Sequence, residues 1–113
     1  MPHLDIRLSM PANAEKTGDL AAKIGAVMET IPGKTISNTV ISISGGYSMY
    51  KDGRPLSGAF VDVRLYKASP EESKKDFSGK IFSIMESVLG IPPENVQMNF
   101  IELPSWASGG DYR

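Results

Sequence analysis

The chain has no cysteine. Disulfides, thiol redox chemistry and cysteine nucleophiles are therefore excluded, and redox arguments leave its compartment open. It has a single histidine, His3, without carboxylate or thiol partners at ligand spacing, so no metal site is expected. By strand parity His3 points away from the face of Leu4, toward surface or an interface. Charge of one sign is also missing. Twelve basic residues against thirteen acidic ones leave a net charge of −1, with no basic field to hold nucleic acid or an anionic membrane. No apolar run approaches bilayer-spanning length, and the amino terminus shows no basic-then-apolar leader. The expectation is a cytoplasmic protein with neither a nucleic-acid nor a membrane partner.

What is present is enough apolar residue, 41% of 113, for one domain over residues 1–113. The chain is also written twice. LDIRL at 4–8 returns as VDVRL at 61–65, and KIGAVMET at 23–30 returns as KIFSIMES at 80–87. Both pairs keep one offset of 57 residues, from Leu4 to Val61 and from Lys23 to Lys80, and the same shift carries Gly33 onto Gly90 and Asn38 onto Asn95. Two copies are too few for a solenoid, so the repeat, roughly 2–44 and 58–103, predicts a pseudo-twofold domain.

Each copy reads as β-α-β. LDIRL and VDVRL alternate apolar with charged residues, the mark of a strand with one buried face. Leu20, Ile24, Val27, Met28 and Ile31 keep a helical spacing that Phe77, Ile81, Ile84, Met85 and Val88 repeat. Pro11 and Pro70 suit first-turn positions, and Gly33 and Gly90 suit left-handed helix stops. Second strands are predicted over 35–43 and 95–103. Asp52-Gly53 is a two-residue hairpin signal in the connection between the copies.

The fold class expected is α+β, a four-stranded sheet covered on one face by two helices. The opposite face would carry Asp5, Arg7, Asp62 and Arg64, read as structural charge pairing across antiparallel first strands. A ferredoxin-like arrangement has the same element order. RNA recognition within it would need stacking aromatics on the central strands, and LDIRL and VDVRL have none. A small-molecule regulatory module stays open.

Pro2 directly follows Met1. Proline is tolerated at a strand start, and its secondary amine would become the chain terminus if Met1 were removed. Together with IPGK at 31–34, AFVDVR at 59–64 and IPPENVQMNF at 91–100, it makes the whole chain resemble the tautomerase superfamily. The branch it resembles is that of macrophage migration inhibitory factor, of phenylpyruvate tautomerase type, related to 4-oxalocrotonate tautomerase and 5-carboxymethyl-2-hydroxymuconate isomerase.

The resemblance implies a cofactor-free keto-enol isomerase acting on a small α-keto acid, assembled as a homotrimer with active sites at subunit interfaces. It makes Pro2 the catalytic base and Lys34 a substrate-binding cation beside it; the alternative for Lys34 is a solvated lysine near a helix end. Asn99 would bond substrate from a neighbouring subunit, or serve only as an edge hydrogen bond. Gln97 stands where the mammalian relative has a tyrosine, and shares a strand face with Asn99. Tyr66 falls at a pocket-wall position, with Lys67 after it. Trp106, the single tryptophan, either lines the pocket or staples the tail to a neighbour. Same-fold hydratases, decarboxylases or dehalogenases of small unsaturated acids, and non-catalytic binding or signalling proteins, are the other readings.

Overall fold

The computed structural model describes residues 2–113. Four strands form one mixed sheet: β1 (His3–Leu8), β2 (Val40–Ser44), β5 (Ala59–Tyr66) and β6 (Val96–Leu103), in the order β2-β1-β5-β6. Two short strands, β3 (Tyr50–Lys51) and β4 (Arg54–Pro55), form a hairpin between β2 and β5; β7 (Ala107–Ser108) and β8 (Asp111–Tyr112) form another at the carboxyl end. β1 pairs with β2 in parallel, β5 with β6 in parallel, and β1 with β5 antiparallel. Each β-α-β unit thus keeps its two strands side by side. A split β-α-β of ferredoxin-like type would separate them, so the arrangement decides between the two folds.

Helices α1 (Ala14–Ala26) and α2 (Glu71–Leu89) cover one face. Leu4, Ile6 and Leu8 of β1 and Val61, Val63 and Leu65 of β5 are all buried beneath them, against Leu20, Ile24, Phe77, Ile81 and Met85. Met98 and Phe100 of β6 pack on the same core, and Phe100 meets Phe77 edge-on at 6.3 Å between ring centroids.

The element ends differ from the sequence reading. Asn13, whose side chain accepts from the Lys16 amide at 2.9 Å, is the N-cap of α1, so Pro11 lies outside the helix. Pro70 is itself the cap residue of α2. Gly90 does stop α2 in the left-handed region, at φ 70°, whereas α1 ends at Ala26 and passes into a 3₁₀ turn at Met28–Thr30 before Gly33 is reached. Gly25 is the local cause: it interrupts α1 with a weak helix former, and a Cβ there would stand 2.6 Å from Ile36 Cδ1. β2 starts five residues later than expected because Thr35 and Asn38 close a 3₁₀ turn over Ile36–Asn38, the Thr35 amide donating to Asn38 Oδ1 at 2.9 Å. Its counterpart Pro93–Asn95 is also a 3₁₀ turn.

The repeat runs further than its sequence shows. Asp52 and Gly53 take the two positive φ angles that a type I′ turn needs, and so do Gly109 and Gly110, 57 residues later. Each copy is therefore β-α-β plus a hairpin, and the first hairpin belongs to its unit rather than serving only as a connection.

Candidate active site

The antiparallel register places Asp5 directly opposite Asp62. These two residues are equivalent under the 57-residue shift, so the pseudo-twofold axis passes between them. Like charges opposite one another repel, and two arginines offset this. Arg7 reaches Asp5 at 3.0 Å and Asp62 at 3.6 Å, and Arg64 reaches Asp62 at 3.8 Å. The expected pairing exists, but along and diagonally across the strands instead of directly opposite. Asn99 joins this cluster, donating through Nδ2 to Asp62 Oδ1 at 2.8 Å, while its Oδ1 is buried with no hydrogen-bond partner among the described residues.

At one end of this face lies a cavity of about 550 Å³. Pro2 and His3 line it from the start of β1, Val40 from the start of β2 and Arg64 from β5. Leu103, at the end of β6, and Trp106, Ala107 and Ser108, leading into the last hairpin, complete the wall. Pro2 is buried, and its carbonyl accepts from the Val40 amide at 3.1 Å, which pins the two strand starts together. Its nitrogen has no place in the ladder and none to fill. The hairpin is held shut by reciprocal bonds between Trp106 and Arg113, at 3.0 and 2.7 Å, so the indole enters on a braced support.

Arg64 is the cation of the cavity. One guanidinium nitrogen stands 3.5 Å from His3 Nδ1, and His3 Nε2 is 2.9 Å from Ser42 Oγ. Arginine only donates, so in this contact Nδ1 is the acceptor, while Nε2 faces Ser42 Oγ. His3 thus lies inside a wall, half-buried, not on open surface.

Among the residues singled out from sequence, the structure brings Pro2 and Trp106 together. Lys34 lies on the turn after α1, its amide bonded to the Ile31 carbonyl, and is outside the lining of this cavity. Tyr66 sits opposite Leu103 in register, with Lys67 Nζ 5.1 Å from its ring centroid. Gln97 lies at the other end of the sheet, in a separate cavity, and Asn99 on the edge strand β6 beside Asp62. Arg64 and His3 were missed as site residues. The signal was available, since two equivalent strands pairing antiparallel about Asp5 and Asp62 must set His3 opposite Arg64.

No protein-family model matches the sequence, and no curated protein matches it. Solved structures do. Leishmania major MIF2 superposes with a TM-score of 0.92 over 100% of this chain and 97% of its own, at 19% identity. The chain has the MIF-like and 4-OT fold. The R7 fused 4-OT, solved as an asymmetric trimer, gives 0.85 over 96% and 94% at 15% identity. Pt0534, solved after inactivation by 2-oxo-3-pentynoate, gives 0.82 over 96% and 93% at 18% identity. At such identities the shared property is the MIF-like fold itself, over nearly the whole of each chain. No helix among the described residues is long and apolar enough to cross a membrane.

Proposed function

We propose that this chain is a cofactor-free keto-enol tautomerase of small aryl α-keto acids such as phenylpyruvate, with Pro2 as general base once Met1 is removed. The observation that carries this reading is the placement of buried Pro2 beside Arg64 and Trp106 in one cavity. A chain-terminal amine has a reference pKa of about 7.7–8.0, and a secondary amine is normally more basic. A nearby guanidinium and burial both disfavour the ammonium form, lowering the pKa toward neutrality, where a base works best.

In the reaction, the Pro2 nitrogen takes a proton from C3 of the keto acid as the C2 carbonyl becomes an enolate, and returns it to the enolate oxygen. Arg64 binds the carboxylate, and its charge opposes the negative charge that develops next to it. Trp106 packs on the aryl group.

The open sheet face, with the orphaned Asn99 Oδ1, supports assembly as a homotrimer whose sheets face inward and whose active sites lie between subunits. The R7 fused 4-OT is a trimer. In that assembly Asn99, Gln97 and Tyr66 are proposed to meet substrate across an interface, and Lys34 to reach the cavity rim on its flexible stem.

The test is the enol-keto interconversion of phenylpyruvate followed by ultraviolet absorbance, with the amino terminus defined by mass. Wild type lacking Met1 should turn over, and Pro2→Ala, folded, should lose at least a hundredfold. Equal rates would overturn the reading. Arg64 beside Pro2 also favours a second reading, in which an arginine-held unsaturated acid gains water or loses carbon dioxide with Pro2 as general acid. That activity without phenylpyruvate turnover would establish it instead.

A further inference from the structure

The repeat supplies an internal comparison for Arg64. Arg7 holds the same position 57 residues earlier, on the strand that pairs with it across the axis. Arg7 folds back along its own strand and donates to Asp5, two residues before it, at 3.0 Å. Arg64 does not make the equivalent bond. Its guanidinium stays 3.8 Å from Asp62, the carboxylate two residues before it, within ion-pair reach but beyond hydrogen-bond length.

The residue across the strand pair accounts for the difference. The antiparallel register sets Phe60 opposite Arg7 and His3 opposite Arg64. Phe60 offers no side-chain acceptor, so the carboxylates beside the axis take Arg7, Asp5 at 3.0 Å and Asp62 at 3.6 Å. His3 does offer one. Nη1 of Arg64 stands 3.5 Å from His3 Nδ1, while Nη2 is the atom that faces Asp62. The ring is anchored in turn from β2, with Nε2 2.9 Å from Ser42 Oγ. Asn99, which is Ser42 shifted by 57 residues, goes instead to Asp62 and donates to its Oδ1 at 2.8 Å. Asp62 thereby has a donor that asks nothing of Arg64.

We propose that His3 is a positioning residue for Arg64: its Nδ1 holds the guanidinium off Asp62 and in the wall of the Pro2 cavity, free to take a substrate carboxylate. An imidazole nitrogen holds a guanidinium more loosely than a carboxylate does, because only the carboxylate bond carries charge on both partners. An incoming carboxylate therefore displaces His3 readily. An arginine bonded to Asp62 as Arg7 is to Asp5 would first have to give up a charged bond. His3 and Arg64 both line the Pro2 cavity, so the role is played inside the site already described. The part given to substrate rests on the proposed function, whereas the placing of Arg64 does not.

The test compares His3→Phe, which copies the residue opposite Arg7, with His3→Asn, whose Oδ1 replaces Nδ1 as acceptor; each amino terminus is defined by mass. In a crystal structure of His3→Phe the Arg64 guanidinium should lie within hydrogen-bond distance of Asp62, and in His3→Asn it should stay where it is. With phenylpyruvate, His3→Phe should lower kcat/KM about tenfold, chiefly through KM, and His3→Asn should recover most of that loss. In an Arg64→Ala background His3→Phe should cost no more than about twofold, since the group it positions is gone. An equal loss in both backgrounds, or an Arg64 guanidinium that has not moved in His3→Phe, would overturn the proposal. If wild type does not turn over phenylpyruvate, the tautomerase reading falls and the position of Arg64 decides alone: a shift onto Asp62 supports the role of His3 and an unchanged position refutes it. Should His3→Phe fail to fold, His3→Ala carries the same expectations.

Discussion

Asp62→Ala should destabilise the protein by about 2–3 kcal/mol. Asp62 is 8% exposed and sits on the pseudo-twofold axis, where it accepts from Asn99 and faces Arg7 and Arg64. Losing one partner of a fully buried ion pair costs about 3–5 kcal/mol because the remaining charge is stranded. Here both arginines keep about a third of their side-chain surface in water, so their contribution is well below that. The hydrogen bond to Asn99 is a charged one, about 1.5–3 kcal/mol, and its loss leaves a second polar atom of Asn99 without a partner. Asn99 therefore carries most of the total.

The matched control is Asp5→Ala. Asp5 is the pseudo-symmetric residue, more exposed, and holds Arg7 alone, so about 1 kcal/mol is expected. For a chain of this size about 4 °C per kcal/mol applies, giving Tm losses of about 8–12 °C against about 4 °C. Melting at one fixed protein concentration by circular dichroism reads both, since assembly would make Tm depend on concentration. Asp62→Asn, which keeps an acceptor for Asn99, should recover about half of the loss. An Asp62→Ala variant no less stable than Asp5→Ala would refute the idea that the Asn99 bond dominates.

Three further outcomes are expected of the same fold. Arg64→Ala should lower kcat/KM for phenylpyruvate by about 10–100-fold, the worth of a charged hydrogen bond, and should move the acid limb of the pH profile upward, because removing a cation favours the Pro2 ammonium; an unmoved limb would show that Arg64 does not act on Pro2. Glu102 is held below the usual carboxylate range by the Ser69 amide and then by Lys74, so its stabilising contribution is present above pH about 4.5 and is lost as pH falls through its lower folded value; Glu102→Gln should flatten that acid limb of Tm and leave the neutral-to-alkaline region's shape unchanged. Gly58→Ala should lower the urea midpoint by an amount equivalent to about 1–3 kcal/mol, because a Cβ there would stand 2.5 Å from the backbone oxygen of Asn95; a neutral substitution would mean that the β5 start shifts freely.

The fold was legible because its signals are periodic and repeated. The alternation in LDIRL and VDVRL marked the buried faces of β1 and β5, and the 57-residue shift tied the two units into one pseudo-twofold sheet. Boundaries were less legible where a side chain, not a period, decides them. Asn13 moves the start of α1 beyond Pro11, and Asn38 folds 36–38 into a turn directly ahead of the apolar residues of β2. The terminal hairpin went unread because its strands are two residues long and carry no alternation to find, although Gly109-Gly110 is a turn signal. In the site, Pro2 and Trp106 were read from resemblance. Arg64 was assigned to structural pairing because its partner Asp62 is visible two residues away, whereas the cavity it faces is made by segments far off in sequence, from Pro2 and His3, Val40 and the Leu103–Ser108 stretch.

The duplication explains why the proton transfer proposed for Pro2 belongs to one end of this sheet and has no equivalent at the other. Every feature of the Pro2 cavity that depends on position within the unit recurs at the other end: an arginine beside the axis, a strand start, a hairpin that closes one wall. One feature cannot recur, because a single polypeptide has one amino terminus. When two units share a chain, the second unit's first strand begins at an amide, and Ala59 is hydrogen-bonded backbone between Gly58 and Phe60. Basicity at that end is removed by connectivity, before any side chain is considered. That end carries Phe60 in place of His3, Met49 in place of Trp106 and Lys51 in place of Ser108, changes that trade a hydrogen-bonding wall for a more cationic and more apolar one. The divergence thus lies in the cavity walls, while Arg7 and Arg64 both stay within ion-pair distance of Asp62.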